Sequence, residues 1–468
     1  MGMFRNKKNW PAKVTNEDIL VKWKEEILSG RSESHKSTPY DDLDFVVRQL
    51  ELDLDEVVAA AVKQAYQADD CVTPEELAEL KRLVAVLEDV PEHQKDYHPG
   101  SNGQVLDLVH PSLFCFVKGV TREYSAFSTQ QVPSDDFQWL PAEFDVDASG
   151  SVKPRSYIVG LHPVVHADGY KAIVKIFEKF VPLFGRVVTD IVAGPSENRL
   201  SPFAGYHREF EGHDDEHDQD DEEDGDVNEF AANLHPDLPP VDEPFPARAF
   251  VVDLKGSRLQ VIVKLASIHL TPDKPEYKGG SWHTEATGTE GIVATGIYYY
   301  DTDNITVSRL AFRRDVTECL DNYEQNARWA VQQVWGLADE FDATIHIGEI
   351  DAIPGRCIAF PNTYQHRVEP FRLVDPSKPG HRKILAFFLV DPSRPSLSTA
   401  RVPPQNAERA IDALGSAAGK QFASLPVELL GDVVHRAGFM TGAEAREHRE
   451  ALMKARGCES GSVSLCEH

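Results

Sequence analysis

The sequence predicts an α+β protein, a core of short β-strands with helical segments at both ends. Three observations lead there. Residues from about 250 to 392 fall into short runs of β-forming residues separated by turn signals. Residues from about 16 to 95 and from 406 to 456 instead repeat their apolar positions at helical spacing. Between these regions lies a strongly acidic stretch that has almost nothing apolar to bury.

In chain order, residues 1–97 read as an N-terminal helical region. Asn16 and Thr73 are the predicted N-caps, and Thr73-Pro74-Glu75-Glu76 puts proline and acidic residues in a first turn. Leu77, Leu80, Leu83, Val84 and Leu87 then form the apolar face. Residues 98–205 read as an α+β region packing on the core. In it Glu143 to Ile158 forms a hairpin turning at Ala148-Ser149-Gly150, and Tyr170 to Val188 forms an amphipathic helix interrupted by Pro182.

Residues 206–246 are expected to be a disordered acidic and Pro-rich loop. Glu211 to Glu229 holds twelve acidic residues and no Lys or Arg, so the segment repels itself. His207, His213 and His217 in or beside it raise a second possibility, divalent-metal binding, although their spacing sets no geometry.

The β core is expected over 247–395. Its runs are Arg258–Leu270, Ser281–Glu285, Ile292–Asp301, Ser308–Arg313, Ile345–Ile350, Arg356–Pro361, Gln365–Val374 and Arg382–Val390. Eight short strands fit a jelly roll, a cupin-like double-stranded β-helix. Ile384 to Val390 is apolar at every position, as for a strand buried on both faces. A helical insertion, Tyr323 to Phe341, interrupts the series. Residues 396–468 read as a C-terminal helical region packing on the β core, with a capping box at Thr441-Gly442-Ala443-Glu444.

The formal net charge of −28 argues against phosphate-backbone binding and against an anionic membrane surface. No segment approaches the roughly 18 apolar residues of a membrane span. The basic, polar start lacks a secretory signal, and the six scattered cysteines form no C-x-x-C pair. Reduced thiols in a cytoplasmic protein are expected; a loose Cys458–Cys466 disulfide is the alternative.

The chemistry centres on Gly279-Gly280-Ser281-Trp282-His283-Thr284-Glu285. Residues two apart on an extended chain share a face, so His283 and Glu285 can reach one ion while Thr284 points away. An imidazole and a carboxylate suit Fe(II), and two-His-one-carboxylate sets leave coordination positions open. The third ligand must come from a distant strand, and His366 at the start of Gln365–Val374 meets that need. The competing reading is a buried hydrogen-bonded pair, and Zn or Mn would suit the same ligands. Arg382 opens the otherwise apolar last strand. It is the candidate to hold the distal carboxylate of a dicarboxylic cosubstrate, since a guanidinium pairs bidentately and stays charged when buried. Arg372 is its rival, and a solvent-facing rim residue, as expected for Lys383, is the structural alternative. Trp282, Asn362 and Tyr364 flank the ligands, and Tyr298 and Tyr300 share a face of the next strand; these five are pocket candidates.

Several blocks resemble the fungal family catalogued as domain of unknown function 4246. They are Gly279 to Glu285, Ile292 to Asp301, Phe360 to Val368, Pro379 to Leu385, Phe388 to Pro392 and Val402 to Gln405. More distantly the pattern is similar to the 2-oxoglutarate/Fe(II) oxygenases with H-x-D, a distal His and a following G-x-R. Here Glu replaces the commoner Asp, and sixteen residues separate His366 from Arg382, with Asp375 to Gly380 as an apparent insertion. That resemblance implies iron on His283, Glu285 and His366, 2-oxoglutarate on Arg382, and O2-dependent oxidation of a small molecule such as an amino acid or metabolite. A protein side-chain hydroxylase and a non-enzymatic cupin-like binding module are the alternatives.

Overall fold

The computed structural model describes residues 2–29, 46–47, 50–51, 54, 57–124, 135–193, 250–285, 289–316, 341–415, 426–455 and 462–463. In chain order the elements begin with α1 (Glu17–Ser29), β1 (Val58–Ala59), β2 (Tyr66–Asp69) and α2 (Pro74–Glu88). They continue with β3 (Val105–Val109), β4 (Ala142–Val146), β5 (Val152–Pro154) and α3 (Ala167–Ala193). The β-rich half comprises β6 (Arg258–Leu270), β7 (Ile292–Asp303), β8 (Arg309–Asp315), β9 (Thr344–Asp351), β10 (Arg356–Pro361), β11 (Gln365–Val368) and β12 (Gly380–Val390). Three helices follow, α4 (Ala407–Gly415), α5 (Val427–Arg436) and α6 (Gly442–Ala455).

Local chemistry accounts for the helix ends. Asn16 Oδ1 accepts the Ile19 amide ahead of α1. At α2 the Thr73 hydroxyl accepts the Glu76 amide while the Glu76 carboxylate accepts the Thr73 amide, a closed capping box. Thr441 and Glu444 repeat the arrangement at α6. Pro182 does not interrupt α3, contrary to expectation: the helix runs unbroken from Ala167 to Ala193. Pro182 lies on the exposed side, while the opposite side of the helix is held by packing.

The strands form a mixed α/β architecture whose sheets are antiparallel. The larger sheet runs β1-β2-β10-β7-β12-β6-β4-β5, with β3 also pairing with β6. Strand β6 is long enough for one edge to take β4 along Arg258–Val261 and β3 along Leu265–Ile268. A smaller sheet runs β9-β8-β11. Strands β4 and β5 are the hairpin expected over Glu143 to Ile158, with Val146 paired to Val152 across its turn. Strands β1, β2 and β3 come from segments expected to be helical or merely packed on the core, and they join the same larger sheet. Their runs of two to five residues are too short to show a period in the sequence. The buried Arg356–Asp69 pair, with N–O distances of 2.7 and 3.0 Å, fastens β2 to β10, and Arg356 also donates to the Asn6 carbonyl.

Alternation sorts the central strands onto two faces. Val261, Val263, Leu265, Tyr298, Tyr300, Cys357, Leu385, Phe387 and Leu389 pack with α2 and α3. Ile262, Ile297, Tyr299, Ile358, Phe360, Ala386 and Phe388 face the other way, against Leu310, Phe312 and Ile350 of the smaller sheet. This explains why β12 is apolar at consecutive positions. The C-terminal helix α6 adds Ala445 and Leu452 to the second core.

The acidic and Pro-rich stretch, nearly all of the insertion Tyr323–Phe341, and Cys458 and Cys466 lie outside the described residues. Cys71, Cys115 and Cys357 are free thiols. No described helix is long and apolar enough to cross a membrane.

Candidate metal centre

The turn at Gly279-Gly280 delivers the first two candidate ligands. Gly279 has φ +93°, and a Cβ there would meet the Val368 carbonyl at 2.9 Å, so both conformation and close approach require glycine. The Gly280 amide then donates to the Val368 carbonyl. His283 and His366 exchange both backbone hydrogen bonds, at 3.2 and 3.0 Å, as a directly opposed antiparallel pair. The expected strand Ser281–Glu285 is thus a short bridged stretch rather than a full strand. Opposed residues project to one side, and the two imidazoles stand with ring centroids 4.6 Å apart. His366 is buried beside the rings of Phe312 and Phe360.

Both imidazoles aim at one carboxylate. Glu285 Oε1 lies 3.7 Å from His283 Nε2 and 3.4 Å from His366 Nε2. All three residues offer ligand atoms within 4.8 Å of one another. Ligands at right angles on bonds of about 2.1 Å lie roughly 3 Å apart, so a small inward movement closes this set on an ion. His283 Nδ1 lies 2.8 Å from the Ser281 carbonyl, which fixes the proton on Nδ1 and leaves the Nε2 lone pair facing Glu285. Burial alone would raise the Glu285 carboxyl, yet the hydrogen bonds of His283 and His366 hold it well below the usual carboxylate range. Burial and the neighbouring His283 push the His366 imidazole down. These two shifts favour the forms that bind metal, an ionised carboxylate and a neutral imidazole. His283, despite its burial, is instead pushed up by Glu285, so a metal would have to displace a proton there.

A cavity of about 890 Å³ opens on the triad, and Arg382 lines the same cavity. Arg382 is only 2% exposed, its guanidinium lies 4.9 Å from the Tyr299 ring centre, and its Nε and Nη1 have no hydrogen-bond partner among the described residues. A buried charge with idle donors is costly until an acceptor arrives. Arg372 is exposed at the end of the Phe371–Arg372 strand and does not line this cavity. Lys383 is not a free rim residue, since Glu88 holds its ammonium at 2.8 Å.

The pocket candidates divide. Asn362 is buried beside Glu285; its Oδ1 accepts the Glu285 amide at 3.0 Å and its Nδ2 donates to the Ile292 carbonyl at 3.2 Å. Trp282 lies between the guanidiniums of Arg313 and Arg367, at 5.0 and 4.6 Å, away from the cavity lining. Tyr364 is buried and donates to Gln64 rather than lining the cavity. Tyr298 and Tyr300 face the α3 core, and Tyr299 between them lies on the cavity side. One step of register reverses which tyrosine matters.

Two features escaped the sequence. Lys264 lines the cavity from the middle of β6, where its only signal is a charge interrupting an apolar run. His98, Asp107 and His110 form a second cluster with metal-like spacing. Its hydrogen bonds argue against a metal: His110 Nδ1 accepts the Ser112 amide at 3.2 Å, so the neutral ring carries its proton on Nε2, toward Asp107. Asp107 is held by His98 at 2.8 Å, with Arg449 4.0 Å away. A hollow of about 800 Å³ beside Tyr170 and Lys171 gathers no comparable set.

Fold and site define a mixed α/β protein with antiparallel sheets and a two-His-one-carboxylate group in a cavity that also holds a buried arginine. The chain belongs to the family described as "Protein of unknown function (DUF4246)", whose profile matches residues 42–412. None of the curated proteins matches it. Among solved structures it is similar to the Fe(II)/α-ketoglutarate-dependent dioxygenase TqaL, at 12% identity over 72% of this chain and 87% of that one, with a TM-score of 0.30. It is also similar to the dioxygenase for auxin oxidation of rice, at 13% identity over 78% and 90% with a TM-score of 0.24. AviO1 of Streptomyces viridochromogenes Tue57 matches at 10% identity over 72% and 93%, with a TM-score of 0.21.

Proposed function

We propose that this protein is a non-haem Fe(II)- and 2-oxoglutarate-dependent oxygenase of a small organic substrate, an amino acid or metabolite, built on a double-stranded β-helix formed by the two facing sheets. The observation that carries the reading is the convergence of His283, Glu285 and His366 in one cavity with Arg382, whose idle buried donors match a carboxylate. The donor set fits a divalent first-row metal that keeps positions open for other ligands. Iron bound there, with 2-oxoglutarate as cosubstrate, supplies the activation of O2 and the oxidation of the substrate.

The chain's own residues do the rest. His283 is fixed in its ligating tautomer by the Ser281 carbonyl, and Asn362 sets the backbone that carries Glu285. Arg382 would hold the far carboxylate of the dicarboxylate by charge-assisted hydrogen bonds. Ile297, Leu310, Val368, Ile384, Ala386 and Phe388 give the cavity apolar walls that exclude water from the reacting centre. The cavity is of a size suited to a small molecule, which favours that substrate class over a protein side chain.

The test is metal analysis of anaerobically purified protein, followed by 2-oxoglutarate titration and succinate measurement on admitting O2. The wild type binds one Fe(II) and releases succinate; His366→Ala loses both. A His366→Ala variant that keeps metal and turnover refutes the assignment, and metal retention without ketoacid turnover in any substrate mixture favours a binding module.

A further inference from the structure

Lys264 lines the cavity and is used by neither the proposed metal nor the cosubstrate. From β6 the cavity is lined by Lys264, Ala266 and Ile268, alternate residues of one face, so Lys264 is the single charge that this strand brings to it. It is only partly exposed, and among the described residues it makes no hydrogen bond and no ion pair within 4 Å. The two carboxylates whose field it shares are both committed elsewhere: Asp107 to His98 and Glu285 to His283 and His366. A cation in this setting has no ion-pair partner among the described residues.

Strand register separates it from Arg382. Lys264 stands opposite Ala386, and Arg382 stands opposite Ile268, four residues along. Their Cα atoms are therefore roughly 13 Å apart at about 3.3 Å per residue. Their electrostatic neighbours differ as well, with Arg382 acting on Tyr277 and Tyr299 and Lys264 on the triad and the Asp107 cluster. The cavity thus presents Lys264 and Arg382 as two separated cations on neighbouring strands, and the cosubstrate accounts for one.

We infer that Lys264 is the specificity-determining anchor for a carboxylate on the substrate, so that the oxidised molecule is a small carboxylic acid. This rests on the oxygenase reading and adds to it the chemical class of the substrate. The ammonium holds the acid end and leaves the rest of the molecule along the apolar wall, beside the triad.

The full chain, loaded anaerobically with Mn(II) and 2-oxoglutarate, is titrated with a panel of amino acids, hydroxy acids and short fatty acids and with the methyl ester of each. Acids that bind the wild type are expected to lose affinity about tenfold or more as esters and in Lys264→Met, with Lys264→Arg retaining most of it. The 2-oxoglutarate dissociation constant stays unchanged in Lys264→Met and rises in Arg382→Met. Acids and esters binding alike, no acid binding at all, or 2-oxoglutarate affinity falling in Lys264→Met overturns the inference. Methionine matches the length and apolar row of Lys264, and the arginine variant guards against a folding defect. Failure of the wild type to take up Mn(II) or 2-oxoglutarate instead sinks the oxygenase reading, while the acid–ester comparison, repeated on metal-free protein, still reads Lys264.

Discussion

Asn362→Ala removes the side chain that spans Glu285 and the start of β7. Asn362 Oδ1 accepts the Glu285 amide at 3.0 Å and Nδ2 donates to the Ile292 carbonyl at 3.2 Å, with the residue 8% exposed. The substitution leaves one buried donor and one buried acceptor unpaired, at about 1–3 kcal/mol each, so a total loss of about 2–6 kcal/mol of stability is expected. It also frees the backbone that presents Glu285. Loss of a group that orients a metal ligand lowers affinity about 10–100-fold, or about 1.4–2.7 kcal/mol. Metal affinity is read by equilibrium dialysis against Mn(II), and stability by urea denaturation of the metal-free protein. Asn362→Asp, which keeps the acceptor for the Glu285 amide but loses the donor, should retain more metal affinity than Asn362→Ala. Stability falling as calculated with Mn(II) affinity unchanged within about twofold would refute the positioning role.

Three further outcomes are expected. Arg382→Met weakens 2-oxoglutarate binding about 100-fold, the worth of a charge-assisted bidentate pair, while Mn(II) affinity holds; equal affinity for the ketoacid rules out Arg382 as its anchor. Asp69→Ala strands the buried Arg356 charge and costs about 3–5 kcal/mol in denaturation, and pairing it with Arg356→Met recovers much of the loss; a neutral single variant contradicts the account of how β2 is fastened. Burial pushes the His110 imidazole from 6.5 down to about 3. The folded value lies below the unfolded one, so this stability is fully present above pH 6.5 and is lost as pH falls toward 3, by about 1.4 kcal/mol per pH unit. His110→Gln should flatten that slope in urea midpoints taken between pH 7 and 4, and an unchanged slope excludes His110 as its source.

The β-rich half was legible because its strands are long and bounded by turns: Arg258–Leu270 and Arg356–Pro361 have in the structure the limits expected of them. The two capping boxes were legible because they are local, four residues closing on themselves. The β4–β5 hairpin was legible from its turn at Ala148-Ser149-Gly150. Strands β1 to β3 were not, since two to five residues carry no period and take their conformation from the strands they pair with. Pro182 misled because a helix buried along one side tolerates a proline placed on the other. The choice between Tyr298 and Tyr299 was lost for a similar reason, because alternation says which residues share a face and not which face meets the cavity.

By itself the sequence determined the set of candidate ligands and their partition. His283 and Glu285 share a side because alternation is a property of the extended backbone, and Arg382 had to be reckoned with because a charge opening an apolar strand needs a partner. Only the tertiary structure decided that His366 lies directly across from His283, that Asn362 and not Trp282 holds the backbone of Glu285, and that Lys264 lines the same cavity. Those relations join residues distant along the chain, and they exist only once strand pairing and sheet packing have set the register between them.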